Sequence, residues 1–80
     1  MTLLEAVVSR INELCEMKEC SPSKLAYLCG IERSTIYSIL YEKSKKPAVA
    51  TIKKICDGLE ITLAQFFDDD VFNTLEQEIK

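Results

Sequence analysis

Arg33, Ser34, Thr35 and Ser38 place one guanidinium and three short hydroxyls within six residues, and the cations Lys43, Lys45 and Lys46 follow. Serine and threonine hydroxyls both donate and accept hydrogen bonds. An arginine at a helix start reaches a guanine edge through O6 and N7, or a phosphate. The chemistry on offer is recognition. Bond-making chemistry has little to work with, because the chain has no histidine, only two glycines and no nucleophile set beside a base. Asp68-Asp69-Asp70 lacks the alternating ligand spacing of a calcium loop and reads as a solvated helix cap. An enzyme is therefore the weakest class, and no cofactor is implied.

The elements that must position these side chains read as helices, since two Gly, two Pro and no alternating β-branched run leave little else. Thr2 and Glu5 form a capping box, after which Leu4, Val7, Val8, Ile11, Leu14 and Cys15 recur at helical spacing. Ser21 is the expected N-cap of a second helix, with Pro22 in its first turn, Leu25, Ala26, Leu28 and Cys29 inward, and Gly30 ending it. A third helix is expected over 33–41, with Ile36, Ile39 and Leu40 inward, followed by a basic loop over 43–47. A fourth runs from about 49 to 57 with Val49, Ile52, Ile55 and Cys56 inward, stopping at Gly58. Thr62 and Gln65 open a short fifth helix carrying Leu63, Phe66 and Phe67. Beyond Asp70 the spacing predicts a tail helix that aligns Val71, Phe72, Leu75 and Ile79 on one face.

Eighty residues with 48% apolar side chains make one domain near the lower limit for a core without staples. Residues 1–69 are expected to form the domain and 70–80 the tail. No stretch approaches the ~20 apolar residues that span a bilayer, and the start lacks a basic segment ahead of an apolar one, so the expected location is cytoplasmic. Cys15, Cys20, Cys29 and Cys56 show no Cys-x-x-Cys spacing, which points away from zinc and towards structural thiols. The net charge is −3, but it is unevenly spread. Residues 21–56 hold seven bases against Glu32 and Glu42, whereas 57–80 hold seven acids against Lys80. A local basic stretch makes a phosphate footprint even in an acidic chain.

Two short helices joined at a glycine form a helix-turn-helix unit, whose second helix needs a wet face to enter a major groove. The run Ser21-Pro-Ser-Lys-Leu-Ala-Tyr-Leu-Cys-Gly-Ile-Glu-Arg-Ser-Thr-Ile-Tyr-Ser-Ile-Leu, then Lys43-Ser-Lys-Lys-Pro, resembles the XRE family of bacterial and phage regulators, with the lambda-repressor-like, Cro-like fold. The likeness covers about 6–68. It implies an all-α, five-helix domain acting as a sequence-specific transcriptional regulator, a repressor, that binds double-stranded DNA at a palindromic operator as a homodimer. It also implies base contacts from Arg33, Ser34, Thr35, Tyr37 and Ser38, and phosphate contacts from Ser21, Ser23, Tyr41, Lys43, Lys45 and Lys46.

Three departures stand out. Pro22 replaces a glutamine common at the first turn of the second helix, and Glu42 replaces a glycine common after the recognition helix. Cys15 and Leu40 together replace an arginine–glutamate pair often buried in relatives. Exchanging both partners of a buried ion pair for apolar groups is often neutral or stabilising, so the joint change fits the fold. The tail face of Val71, Phe72, Leu75 and Ile79 has two readings, folding back on its own core or forming a dimer interface. The alternative function is a protein-interaction module such as an antitoxin, docking a protein partner through residues 66–79.

Overall fold

The computed structural model describes residues 1–42 and 46–79, and among them there are five α-helices, one 3-10 turn and no strand. Helix α1 spans Leu3–Met17, α2 Pro22–Cys29, α3 Arg33–Tyr37, α4 Val49–Leu59 and α5 Leu63–Phe67. A π-turn at Ser38–Glu42 extends α3, and the 3-10 turn lies at Asp70–Asn73. No helix of the described residues is long and apolar enough to cross a membrane.

The starts of these helices follow their local chemistry. Thr2 Oγ1 accepts from the Glu5 N–H at 3.2 Å while Glu5 Oε1 accepts from the Thr2 N–H at 2.8 Å, so both orphan donors are satisfied. Thr62 and Gln65 repeat the device at α5. Ser21 Oγ caps α2 by accepting from the Lys24 N–H at 3.1 Å, with Pro22 at its first position.

Three helices end alike, each on one residue in the left-handed region: Glu19 (φ 52°), Gly30 (φ 67°) and Glu60 (φ 60°). In each case the next N–H returns to a carbonyl five residues earlier, as in Cys20 to Cys15, Ile31 to Ala26 and Ile61 to Cys56. Glycine adopts this conformation freely, but a side chain there costs about 1–2 kcal/mol. Glu60→Gly should therefore raise the stability read from urea unfolding by about 1 kcal/mol, with an unchanged denaturant slope.

Fifteen buried apolar residues form one cluster, with α2 packed against both α3 and α4. Ile11, Leu25, Ile36, Ile39, Ile55, Cys56 and Phe66 are at most 1% exposed. Each such aliphatic or aromatic side chain contributes roughly 1.5–3 kcal/mol relative to leaving it in water. Cys15 and Leu40 both lie in this cluster, as the joint loss of charge at those positions implies.

Four expectations need correction. Leu28 is 43% exposed, because α2 buries a stripe centred on Leu25, Ala26 and Cys29 and Leu28 falls on its outer edge. Val49 is 74% exposed, since the first turn of α4 overhangs the core and Ile52 is its first buried residue. Gly58 does not stop α4, which continues to Leu59 and is ended by Glu60. The glycine serves helix packing instead: a Cβ there would lie 2.7 Å from Cys29 Sγ and 3.0 Å from the Leu28 carbonyl carbon. Gly58→Ala should push α4 off α2. Overpacking costs typically 1–3 kcal/mol against about 1 kcal/mol of helix propensity, so calorimetry should show a net loss of about 1–2 kcal/mol.

The tail is the fourth correction. Its helix is confined to the 3-10 turn, and residues 74–79 run on without helical structure, so Val71, Phe72, Leu75 and Ile79 share no helical face. Phe72 packs against the core, its ring centroid 4.9 Å from Phe67 and 6.2 Å from Phe66. Val71 and Leu75 are half-buried, and Ile79 is 85% exposed.

Arg10 fastens this end of the molecule to α1. Its Nε donates to the Phe66 carbonyl at 2.7 Å and its Nη2 to the Gln65 carbonyl at 2.8 Å, so it caps the last turn of α5. Nη1 pairs with Asp69 Oδ2 at 3.4 Å and with Glu13. Asp69 in turn accepts from the Val71 N–H at 2.9 Å and so starts the 3-10 turn.

Candidate nucleic-acid interface

The α2–turn–α3 unit is set by the capped start at Ser21, the left-handed Gly30 and the close packing of α3 on α2. Ile36, Ile39 and Leu40 point into the core, which turns the remaining side of α3 to solvent. Arg33, Ser34, Tyr37 and Tyr41 are exposed there, while Thr35 and Ser38 are half-buried at its margins. Among the described residues Arg33 forms no ion pair, so its guanidinium donors are available.

The face has internal order. Tyr37 Oη lies 3.3 Å from Ser23 Oγ, which ties the last residue of α3 to the first turn of α2. Tyr37 and Tyr41 meet edge to face, with centroids 5.4 Å apart. The π-turn over Ser38–Glu42 buries Ile39 and Leu40 together and leaves Tyr41 outside. Ser38 Oγ donates to Glu42 Oε1 at 2.7 Å. This bond holds the Glu42 carboxylate against its own helix, and Ser38 keeps only its acceptor capacity for another partner.

Around the rim, Ser21 is exposed and Ser23 half-buried, both at the start of α2. The Ser21 oxygen accepts from Lys24, so its hydroxyl proton remains free to donate. Lys46 is exposed, whereas Lys43 and Lys45 lie outside the described residues. Two neighbours were missed in the sequence. Tyr27 is 79% exposed, four residues after Ser23 on the same strip of α2, and Lys24 Nζ sits 5.4 Å from its ring centroid. The i, i+4 relation of Tyr27 to Ser23 was the available signal.

The arrangement puts hydrogen-bond donors, acceptors and the Arg33 guanidinium on the exposed side of α3. No group of His, Cys, Asp or Glu among the described residues is placed to hold a metal ion. The thiols lie elsewhere, in the core or against it.

Residues 10–70 match a family described as the Cro/C1-type HTH DNA-binding domain. Among solved structures the chain is similar to one described as the crystal structure of the prophage Lp1 protein 11. The two share 31% identity with a TM-score of 0.81, over 94% of this chain and 99% of that one. No curated protein matches.

Proposed function

The chain belongs to the Cro/C1-type helix-turn-helix DNA-binding domain family, and from that premise we propose that it is a transcriptional repressor that binds a palindromic operator as a homodimer. The observation that carries this reading is the division of α3, whose apolar residues are sealed in the core while Arg33, Ser34, Tyr37 and Tyr41 stay wet. Seated in a major groove, that edge presents Arg33, Ser34, Thr35, Tyr37 and Ser38 to base edges. Ser21, Ser23, Tyr41, Lys43, Lys45 and Lys46 then face the phosphates on either side.

Two copies are needed because a single module of this size makes few contacts, and two-fold symmetry sets half-sites one helical turn, about 34 Å, apart. The contact between copies draws on Ile79 and on Leu3, Val49 and Phe67, all at least 40% exposed and apolar. Leu3, Val49 and Phe67 line a groove of about 450 Å³ that also carries Lys46 and Glu78. Phe72 is withdrawn from the expected interface because it is committed to its own core. The same commitment of Phe66 and Phe72 weakens the alternative of a protein-docking module working through 66–79.

The test is a fluorescence titration of the chain against its own promoter at two salt concentrations. Saturable binding that weakens steeply with salt is expected, since each phosphate contact releases a counterion. Absence of binding at low salt, or binding indifferent to salt, contradicts the proposal.

A further inference from the structure

The face assigned to DNA leaves all four cysteines unused. They come from distant parts of the chain yet gather on one core: Cys15 and Cys56 are buried, and Cys20 and Cys29 pack against the same cluster. Burial pushes the Cys29 thiol up to about 12, with further contributions from Cys15, Cys20 and Cys56.

Within that group the end of α1 singles out one pair. The chain reverses at Glu19, held in the left-handed region, and the reversal is closed by Glu19 N–H to the Glu16 carbonyl at 3.2 Å and Cys20 N–H to the Cys15 carbonyl at 2.8 Å. A helix end of this kind sets the side chains of its first and last residues against each other, where an apolar contact is usual. Here both are cysteine. The Cys15 thiol is pushed up to about 11, first by burial and then by Cys20, whose side chain packs against the cluster that holds Cys15. A disulfide tolerates Cα atoms about 4.4–6.8 Å apart, a range that a chain reversal closed by one backbone hydrogen bond provides.

The other pairings are less well placed. Cys29 Sγ contacts the Ile55 carbonyl at 3.9 Å, as Cys20 Sγ contacts the Ser21 carbonyl at 3.5 Å, but Cys29 is also pinned beside Gly58 of α4. Cys56 is fully buried. The members of the favoured pair also differ in access: Cys20 is half-buried at the surface, and Cys15 is 6% exposed beneath it.

We propose that Cys15 and Cys20 form an oxidisable dithiol, a modification site at which a hydroperoxide closes a disulfide across the end of α1. The Cys20 thiolate attacks one peroxide oxygen, the O–O bond breaks, and Cys20 becomes a sulfenic acid as hydroxide leaves and takes a proton from solvent. The Cys15 sulfur then attacks the Cys20 sulfur. The S–O bond breaks as the S–S bond forms, and the departing hydroxide takes the Cys15 proton away as water. Two electrons pass from the two sulfurs to one peroxide, giving one disulfide and two waters. The new bond fixes the last turn of α1 to the residue that precedes the Ser21 cap, and so to the start of α2. A dithiol reductant reverses it by thiol exchange.

The experiment treats the full chain with hydrogen peroxide, unfolds it under acid, counts free thiols and maps disulfides by peptide mass spectrometry. The expected result is a fall from four titratable thiols to two, a Cys15–Cys20 cross-link within one chain, and recovery of all four with dithiothreitol. C20S should abolish the cross-link, and C29S, which leaves the pair intact, should retain it. The proposal is overturned if four thiols persist, if Cys20 runs on to sulfinic acid with Cys15 still reduced, or if the disulfide joins Cys29, Cys56 or two chains. Since C15A empties a buried position and risks the fold, C20S carries the decision.

Discussion

Arg33→Ala should weaken binding to the proposed operator by about 1–3 kcal/mol at each half-site, the expected cost of losing a bidentate arginine–guanine contact. A dimer loses it twice. The expected total of about 2–6 kcal/mol corresponds to a loss of roughly 30-fold to 10⁴-fold in affinity. Arg33 is exposed and forms no ion pair among the described residues, so its removal should leave the fold intact. Titrations of the variant against the operator and a scrambled duplex separate its two possible partners. A guanine contact makes the loss specific to the operator, whereas a phosphate contact weakens both duplexes alike and lowers the salt slope by about one per subunit, about two for the dimer. Unchanged affinity for both would remove Arg33 from the interface.

The second large effect is on stability. Arg10→Ala should lower it by about 2–3 kcal/mol, because the carbonyls of Gln65 and Phe66 lose charge-assisted hydrogen bonds and Asp69 loses its partner. In a domain of this size that is a fall in Tm of roughly 10–20 °C. Most of it comes from the two carbonyls and Asp69, since the Arg10 side chain is only 12% exposed. The arm to Glu13 is half exposed and contributes little. Arg10→Lys should recover only part of the loss, because an ammonium lacks the fork that spans two carbonyls and a carboxylate at once. A calorimetric Tm within a few degrees of the unaltered chain would show that the α1–α5 fastening is dispensable.

Arg10 also shows where sequence reasoning ran out. Its partner carbonyl lies 56 residues further on, and no local pattern links the two. Local chemistry was readable where it was self-contained. The Thr2–Glu5 and Thr62–Gln65 boxes, the Ser21 cap and the left-handed Gly30 are written in adjacent residues. Gly58 was misread because helix-ending glycines and close-approach glycines are the same residue, and only the nearness of Cys29 tells them apart. Leu28 and Val49 were placed inside because periodicity gives a face but not how far a neighbouring helix covers it. The tail pattern was apolar at helical spacing, yet docking Phe72 between Phe66 and Phe67 outweighed a short helix with little propensity of its own.

The candidate face was legible in outline. Arg33, Ser34 and Tyr37 could be placed outside because Ile36, Ile39 and Leu40 had to be inside. The tie between Ser38 and Glu42 was not anticipated, although the two stand four residues apart on the same element. Glu42 enters the sequence as a negative charge beside the expected backbone path, and the fold draws that charge back onto α3. The bond between Ser23 and Tyr37 is of the long-range kind, and it joins two helices that both approach the duplex in the proposed docking.

The most direct measurement is an amide NMR titration of the uniformly labelled chain with a duplex carrying its operator. The account predicts that the largest shifts fall on residues 33–38 and on the start of α2 around Ser21 and Ser23. Residues of the buried side of α1, around Val8 and Ile11, should stay in place. Shifts centred on residues 63–79, with 33–38 unmoved, would show that a different surface meets DNA and would contradict the assignment of α3 as the reading helix.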